Sequence, residues 1–146
     1  MAEELAALAS ELKTGDATDS EKEEILQRII PRLLQLDGWR ITHSDLDPNL
    51  PRVPIEEMED VGLVAERHTK RICVEFKQHI TIDGISGNIL PFISSYMEFV
   101  DKVVIVATKR YSVLEREIIA RLEPQRLELL DVPAVLCWIE RSFPHS

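Results

Sequence analysis

The sequence predicts a single α/β domain, a central mixed β-sheet flanked by helices. Three observations carry this expectation. Segments with apolar residues at helical spacing are interleaved with segments in which apolar residues alternate or run continuously. Ser-x-x-Glu boxes, the pattern of a capped helix start, stand ahead of two of the helical segments. A chain of 146 residues, 45% of them hydrophobic, is also long enough for one buried core and too short for two.

Residues 1–19 are expected to form a weakly helical, acidic lead-in, with the folded domain over 20–146. Ser20 and Glu23 predict a capping box that opens a helix with Ile25, Leu26, Ile29, Ile30, Leu33 and Leu34 along one stripe. Pro31 removes the bond to Gln27 and should kink it. Gly38 stops the helix, and Trp39–Thr42 reads as a first strand. Residues 43–58, rich in Pro, Asp and Glu, read as a loop. Two β-prone runs follow, Val61–Glu66 and Arg71–Lys77, separated by the turn Arg67-His68-Thr69-Lys70. In the second run Ile72, Val74 and Phe76 alternate with Cys73, Glu75 and Lys77, so Glu75 and Lys77 share the face opposite the apolar one. After the glycines at 84 and 87, Ile89, Ile93, Tyr96, Met97 and Val100 mark a second helix. Val103–Ala107 is a buried-strand run. Ser112 and Glu115 open a third helix through Leu122, and Val135–Ile139 reads as a closing strand. The predicted order of the folded domain is α-β-β-β-α-β-α-β.

Composition narrows the function. A net charge of −9 argues against strong non-specific adhesion to nucleic acid, because phosphate contacts need Lys and Arg. The charge is uneven, however. Residues 1–24 hold eight acids against two lysines, whereas residues 102–126 hold six basic side chains against three acids, Lys109 and Arg110 among them. A local basic surface is therefore compatible with an acidic chain. Aromatics at 5% disfavour a base-stacking platform. No stretch approaches a membrane span, and the opening Met1-Ala2-Glu3-Glu4 is too acidic for a leader. Cys73 and Cys137 sit in apolar runs without metal-ligand spacing and read as reduced core residues, which predicts a cytoplasmic protein. His68 and His79 have no partners at ligand spacing. Trp39, Trp138 and Tyr96 read as core.

One constellation carries chemistry. Phosphodiester hydrolysis needs a Lewis acid to hold the phosphate and activate water, and hard cations such as Mg²⁺ take carboxylate and carbonyl oxygens. A nearby lysine can orient the water or stabilise developing charge. Asp60 begins one strand of the expected hairpin, and Glu75 and Lys77 lie on one face of its partner. The carbonyl of Phe76 between them offers a further oxygen.

Asp60, the hairpin after it and Glu75-Phe76-Lys77 resemble the Asp…Glu-x-Lys signature of the PD-(D/E)XK, or restriction-endonuclease-like, superfamily. The segment Glu21–Leu34, followed by Gly38-Trp39, is similar to the opening of the N-terminal nuclease domain of type I restriction-enzyme motor subunits. The resemblance covers residues 20–110. It implies a restriction-endonuclease-like fold, a Mg²⁺ or Mn²⁺ ion, and Glu21 as a supporting carboxylate, with Glu24 one turn on as its alternative. It also implies a nucleic-acid substrate, DNA before RNA, and assembly as a homodimer or with a partner subunit. Glu59 stands where the family pattern has proline, and with Glu56 and Glu57 it adds negative charge beside the expected site. The alternative is the same fold kept as a binding or assembly module of a larger defence or repair complex, its carboxylates structural.

Overall fold

The computed structural model describes residues 2–14, 16–44, 49, 62–77, 98–108, 113, 117 and 126–143. Helix α1 (Ala2–Lys13) is followed by α2 (Asp19–Leu36), then by strands β1 (Arg40–Ser44), β2 (Leu63–Arg67), β3 (Lys70–Lys77), β4 (Lys102–Ala107) and β5 (Leu127–Leu130), and by helix α3 (Val132–Ser142). The strands form one sheet in the order β1-β2-β3-β4-β5. The first three pair antiparallel, and β3-β4 and β4-β5 pair parallel. The domain is thus α/β with a five-stranded mixed sheet flanked by helices, as the sequence predicts.

The strand sequences explain their positions. Residues 102–107, Lys-Val-Val-Ile-Val-Ala, lie between two parallel neighbours with both faces covered, and a strand so placed needs a continuous apolar run. Its even and odd positions are alike buried, from Val103 to Ala107. On one face of the sheet Leu63, Ala65, Ile72, Val74, Phe76, Val104, Val106 and Leu130 share a core with the three helices. On the other, Val64, Cys73, Val103 and Ile105 are also buried.

Helix α2 begins two residues before the expected box. Thr18, in extended backbone, accepts a hydrogen bond at its hydroxyl from the Glu21 amide at 3.1 Å, and the Glu21 carboxylate accepts from the Thr18 amide at 3.4 Å. Ser20 is already helical. The stretch Thr18-Asp19-Ser20-Glu21-Lys22-Glu23 contains two overlapping boxes, and only the first leaves Asp19 free to enter the first turn. Pro31 lies within α2 without ending it, and Gly38, at φ +89°, turns the chain out.

Helix α1 is more than a lead-in. Leu5, Leu8, Ala9 and Leu12 recur at i, i+3, i+4 and i+7 and are buried in the same core as α2 and α3. The β2–β3 turn is also tighter than the sequence suggests. Arg67 pairs with Lys70, which leaves His68 and Thr69 as a two-residue loop, with His68 at φ +57°.

The largest correction falls at the C-terminal end. Val135–Ile139 is not a strand. It lies within α3, which Asp131 caps by accepting from the Ala134 amide at 3.1 Å, with Pro133 in the first turn. The last strand is instead Leu127–Leu130, which the sequence analysis did not identify. The run Val-Leu-Cys-Trp-Ile is ambiguous by period, and burial of Val135 and Ile139 at i, i+4 resolves it as a helix face. The predicted order therefore fails at its last element, which is a helix. Cys137 consequently faces solvent and only Cys73 is a core thiol. The first strand lies one to two residues later than expected, over Arg40–Ser44. Glu98 and Phe99, at the end of the expected second helix, form a turn into β4. Residues 89–97 of that helix lie outside the described residues, as do 45–48 and 50–58 of the expected loop and all but Val113 and Glu117 of the expected third helix.

Candidate functional site

β3 is the centre of the sheet and the strand on which its pairing changes from antiparallel to parallel. Its odd-numbered residues Arg71, Cys73 and Glu75 alternate with Ile72, Val74 and Phe76, which face the core shared with α1, α2 and α3. The face of the odd-numbered residues is polar at both ends and apolar in the middle. At the hairpin end Arg71 Nε donates to Glu66 Oε1 at 2.9 Å and Arg40 Nη2 donates to Glu66 Oε2 at 3.1 Å. The Arg71 hydrogen bond, ahead of its charge and of Arg40, holds the Glu66 carboxyl below the usual carboxylate range. Arg71 also donates to the Phe99 carbonyl at 3.4 Å.

Next come the buried side chains of Val64, Cys73, Val103 and Ile105. Burial above all, and then the charge of Glu75, pushes the Cys73 thiol up to about 12.

Glu75 and Lys77 follow at the carboxyl end of β3, opposite Ile105 and Ala107 of the parallel strand β4. In open α/β sheets the carboxyl ends of parallel strands border the crevice where ligands bind. Glu75 is half-buried, which keeps its carboxylate within reach of solvent while shielding it partly. Phe76, between them, turns its ring into the helix-side core, so only its backbone oxygen is available to the Glu75 side. Gly62 makes this packing possible. A Cβ at Gly62 would lie 3.0 Å from the Phe76 ring and 3.2 Å from the Val74 carbonyl. This close approach is a positional constraint that sequence inspection missed, although a glycine one residue before a strand is its usual signal.

Glu75, Phe76 and Lys77 are the last three residues of the central strand β3. Glu21 lies in the first turn of α2. It is exposed, serves as the reciprocal member of the α2 cap, and borders an open cleft with Glu11, Asp16, Glu24 and Arg28. The lining of that cleft includes nothing from β3. Asp60, Gln78, His79, Tyr96, Lys109 and Arg110 lie outside the described residues. Among the described residues no three His, Cys, Asp or Glu side chains are grouped to hold a metal ion, and no helix is long and apolar enough to cross a membrane. The basic residues described within 102–126 are already engaged. Lys102 pairs with Glu128, and Arg126 donates to the carbonyls of Val100 at 2.9 Å and Asp101 at 3.4 Å. No protein-family model matches the sequence, and no curated protein matches it.

Proposed function

We propose that the chain is a restriction-endonuclease-like, divalent-metal-dependent nuclease domain that hydrolyses phosphodiester bonds in nucleic acid, with DNA as the preferred substrate. The reading is supported by a half-buried Glu75 near the carboxyl end of the central strand, with Lys77 two residues on in the same strand, where the sheet changes from antiparallel to parallel pairing. A carboxylate such as Glu75 and a backbone carbonyl such as that of Phe76 are hard oxygen donors that suit an ion such as Mg²⁺ or Mn²⁺. Glu75 would hold the ion with Asp60 and the Phe76 carbonyl, and Glu21 would support the site only through water or a neighbouring ligand. When bound, the ion supplies Lewis-acid activation of the phosphate and of a water. The Glu75 carboxylate, half-shielded from solvent, orients by accepting hydrogen bonds. The Lys77 ammonium opposes the negative charge that builds on the phosphate oxygens as the bond breaks. The reading requires the β2–β3 register, in which Leu63 faces Val74, to run on far enough to bring Asp60 opposite Lys77.

The test combines cleavage and metal binding. Wild type should cleave plasmid or linear duplex in the presence of Mg²⁺, and Lys77→Met, at matched circular dichroism, should lose about 10²–10³-fold in rate. Calorimetry with Mn²⁺ should show a site that is lost in both Asp60→Ala and Glu75→Ala. No cleavage of duplex, single-stranded DNA or RNA by pure wild type, or equal cleavage by Lys77→Met, overturns the assignment.

A second reading, an inactive binding or assembly module, is favoured by one observation. Among the described cations, Arg71, Lys102 and Arg126 are committed to internal partners on a chain of net charge −9. Mn²⁺ binding without cleavage would select it.

A further inference from the structure

We infer that the helix-side face of the sheet carries a second ligand site, a cleft between α2, the β2–β3 hairpin and α3 that takes a small aromatic carboxylate. The cleft encloses about 270 Å³, just below the range of drug-sized sites, roughly 300–1,000 Å³. That volume suits a molecule of one or two rings. Beneath it lie the buried core side chains of Ile30, Leu34, Ile72, Val74, Val104 and Leu130, each 9% exposed or less. The cleft lies on the opposite face of the sheet from Glu75, so it is independent of the nuclease reading.

Its walls are two indoles, and both are held in place. Trp138 Nε1 donates to Asp37 Oδ2 at 3.2 Å, joining α3 to the end of α2. Trp39 carries the Arg67 guanidinium 4.5 Å from its ring centroid, and Arg67 in turn donates to the Asp37 carbonyl at 2.9 Å. Two fixed indole surfaces over buried aliphatic side chains favour a flat apolar body, at little entropic cost on binding.

Charge at the rim decides the polar end of the ligand. The acids at the cleft are engaged, Asp37 by Trp138 and Glu128 by Lys102. Among the cations, Lys102 is paired with Glu128 and Arg67 is stacked and hydrogen-bonded. Arg141 has no ion pair or hydrogen bond among the described residues. It stands three residues beyond Trp138 on α3, so the indole and the free guanidinium rise from the same side of the helix. A planar guanidinium presents a two-pronged donor that matches a carboxylate. The indoles thus favour the apolar body, and Arg141 favours the anionic end.

The experiment uses 1-naphthoate, 1-naphthylmethanol and 1-naphthylmethylammonium as probes of one shape and three charges, titrated into the full chain. Binding is followed by calorimetry, and the indole N–H resonances of Trp39 and Trp138 locate it. Saturable binding of 1-naphthoate with shifts of both indole signals, weakened about tenfold in Arg141→Gln while the alcohol binds both proteins alike, supports the site. Equal affinity of Arg141→Gln and wild type for 1-naphthoate overturns it. So does the absence of saturable binding, unmoved indole signals, or a preference for the alcohol or the ammonium probe.

Discussion

Leu5→Ala tests whether α1 belongs to the folding unit. Leu5 is 0% exposed and sits in the core shared by α2, α3 and the sheet. The substitution removes about three methylene equivalents, each worth about 0.8 kcal/mol on burial, or about 2.4 kcal/mol of transfer energy. Rigid neighbours add a cavity cost, since Leu26, Ile29, Ile30 and Leu33 across the interface are themselves fully or almost fully buried. The total should reach about 3–4 kcal/mol, within the range of buried Leu→Ala changes. For a chain of this size that corresponds to a fall in Tm of about 8–12 °C. Leu36→Ala is the internal control, because Leu36 is 43% exposed at the end of α2 and its loss should cost under about 1 kcal/mol. Urea unfolding reports both, read through the fluorescence of Trp39 and Trp138, which pack against the same core. A Leu5→Ala cost equal to that of Leu36→Ala, with the urea slope unchanged, would refute the placement of α1 in the core.

Gly62→Ala should cost about 1–3 kcal/mol, because its Cβ meets the Phe76 ring at 3.0 Å and a strand carbonyl at 3.2 Å; a neutral effect in thermal unfolding would contradict that approach. Glu66 has a lowered folded pKa, so its pairing with Arg71 contributes stability above the unfolded value of 4.5 and loses it as pH falls through the lower folded value. Glu66→Gln should therefore flatten the acid limb of the stability curve, by a modest amount of about 0.5 kcal/mol given its partial exposure, and an unchanged limb would show the pair to be inert. A thiol reagent should label Cys137 within minutes and leave Cys73 unlabelled until the protein unfolds, because Cys73 is buried and its thiol is pushed up to about 12; two fast thiols in the native protein would place Cys73 at the surface.

The elements whose pattern has one solution were legible in the sequence. The Ile25–Leu34 stripe can bury only as a helix, and the uninterrupted Val103–Ala107 run, too short for a helix, suits only a strand covered on both faces. The alternation of Arg71–Phe76 was legible as a strand with Ile72, Val74 and Phe76 on its core face, because side-chain direction along a strand follows from local geometry alone. Tertiary structure decided what local pattern leaves degenerate. Between two overlapping capping boxes, it selected Thr18–Glu21, and so committed Glu21 to a backbone role. It drew a helix from Val135–Ile139, since a short apolar run takes the form that its neighbours can cover, and here α1 and α2 offer a helix-sized groove. Pairing across the sheet is likewise a long-range matter, settled by which partner buries which face, and so β5 and its parallel register were out of reach of composition and spacing. The cleft of Trp39, Trp138 and Arg141 draws on residues about a hundred positions apart, and no sequence interval encodes that meeting. It exists because the end of α2, the β2–β3 hairpin and α3 close over one face of the sheet.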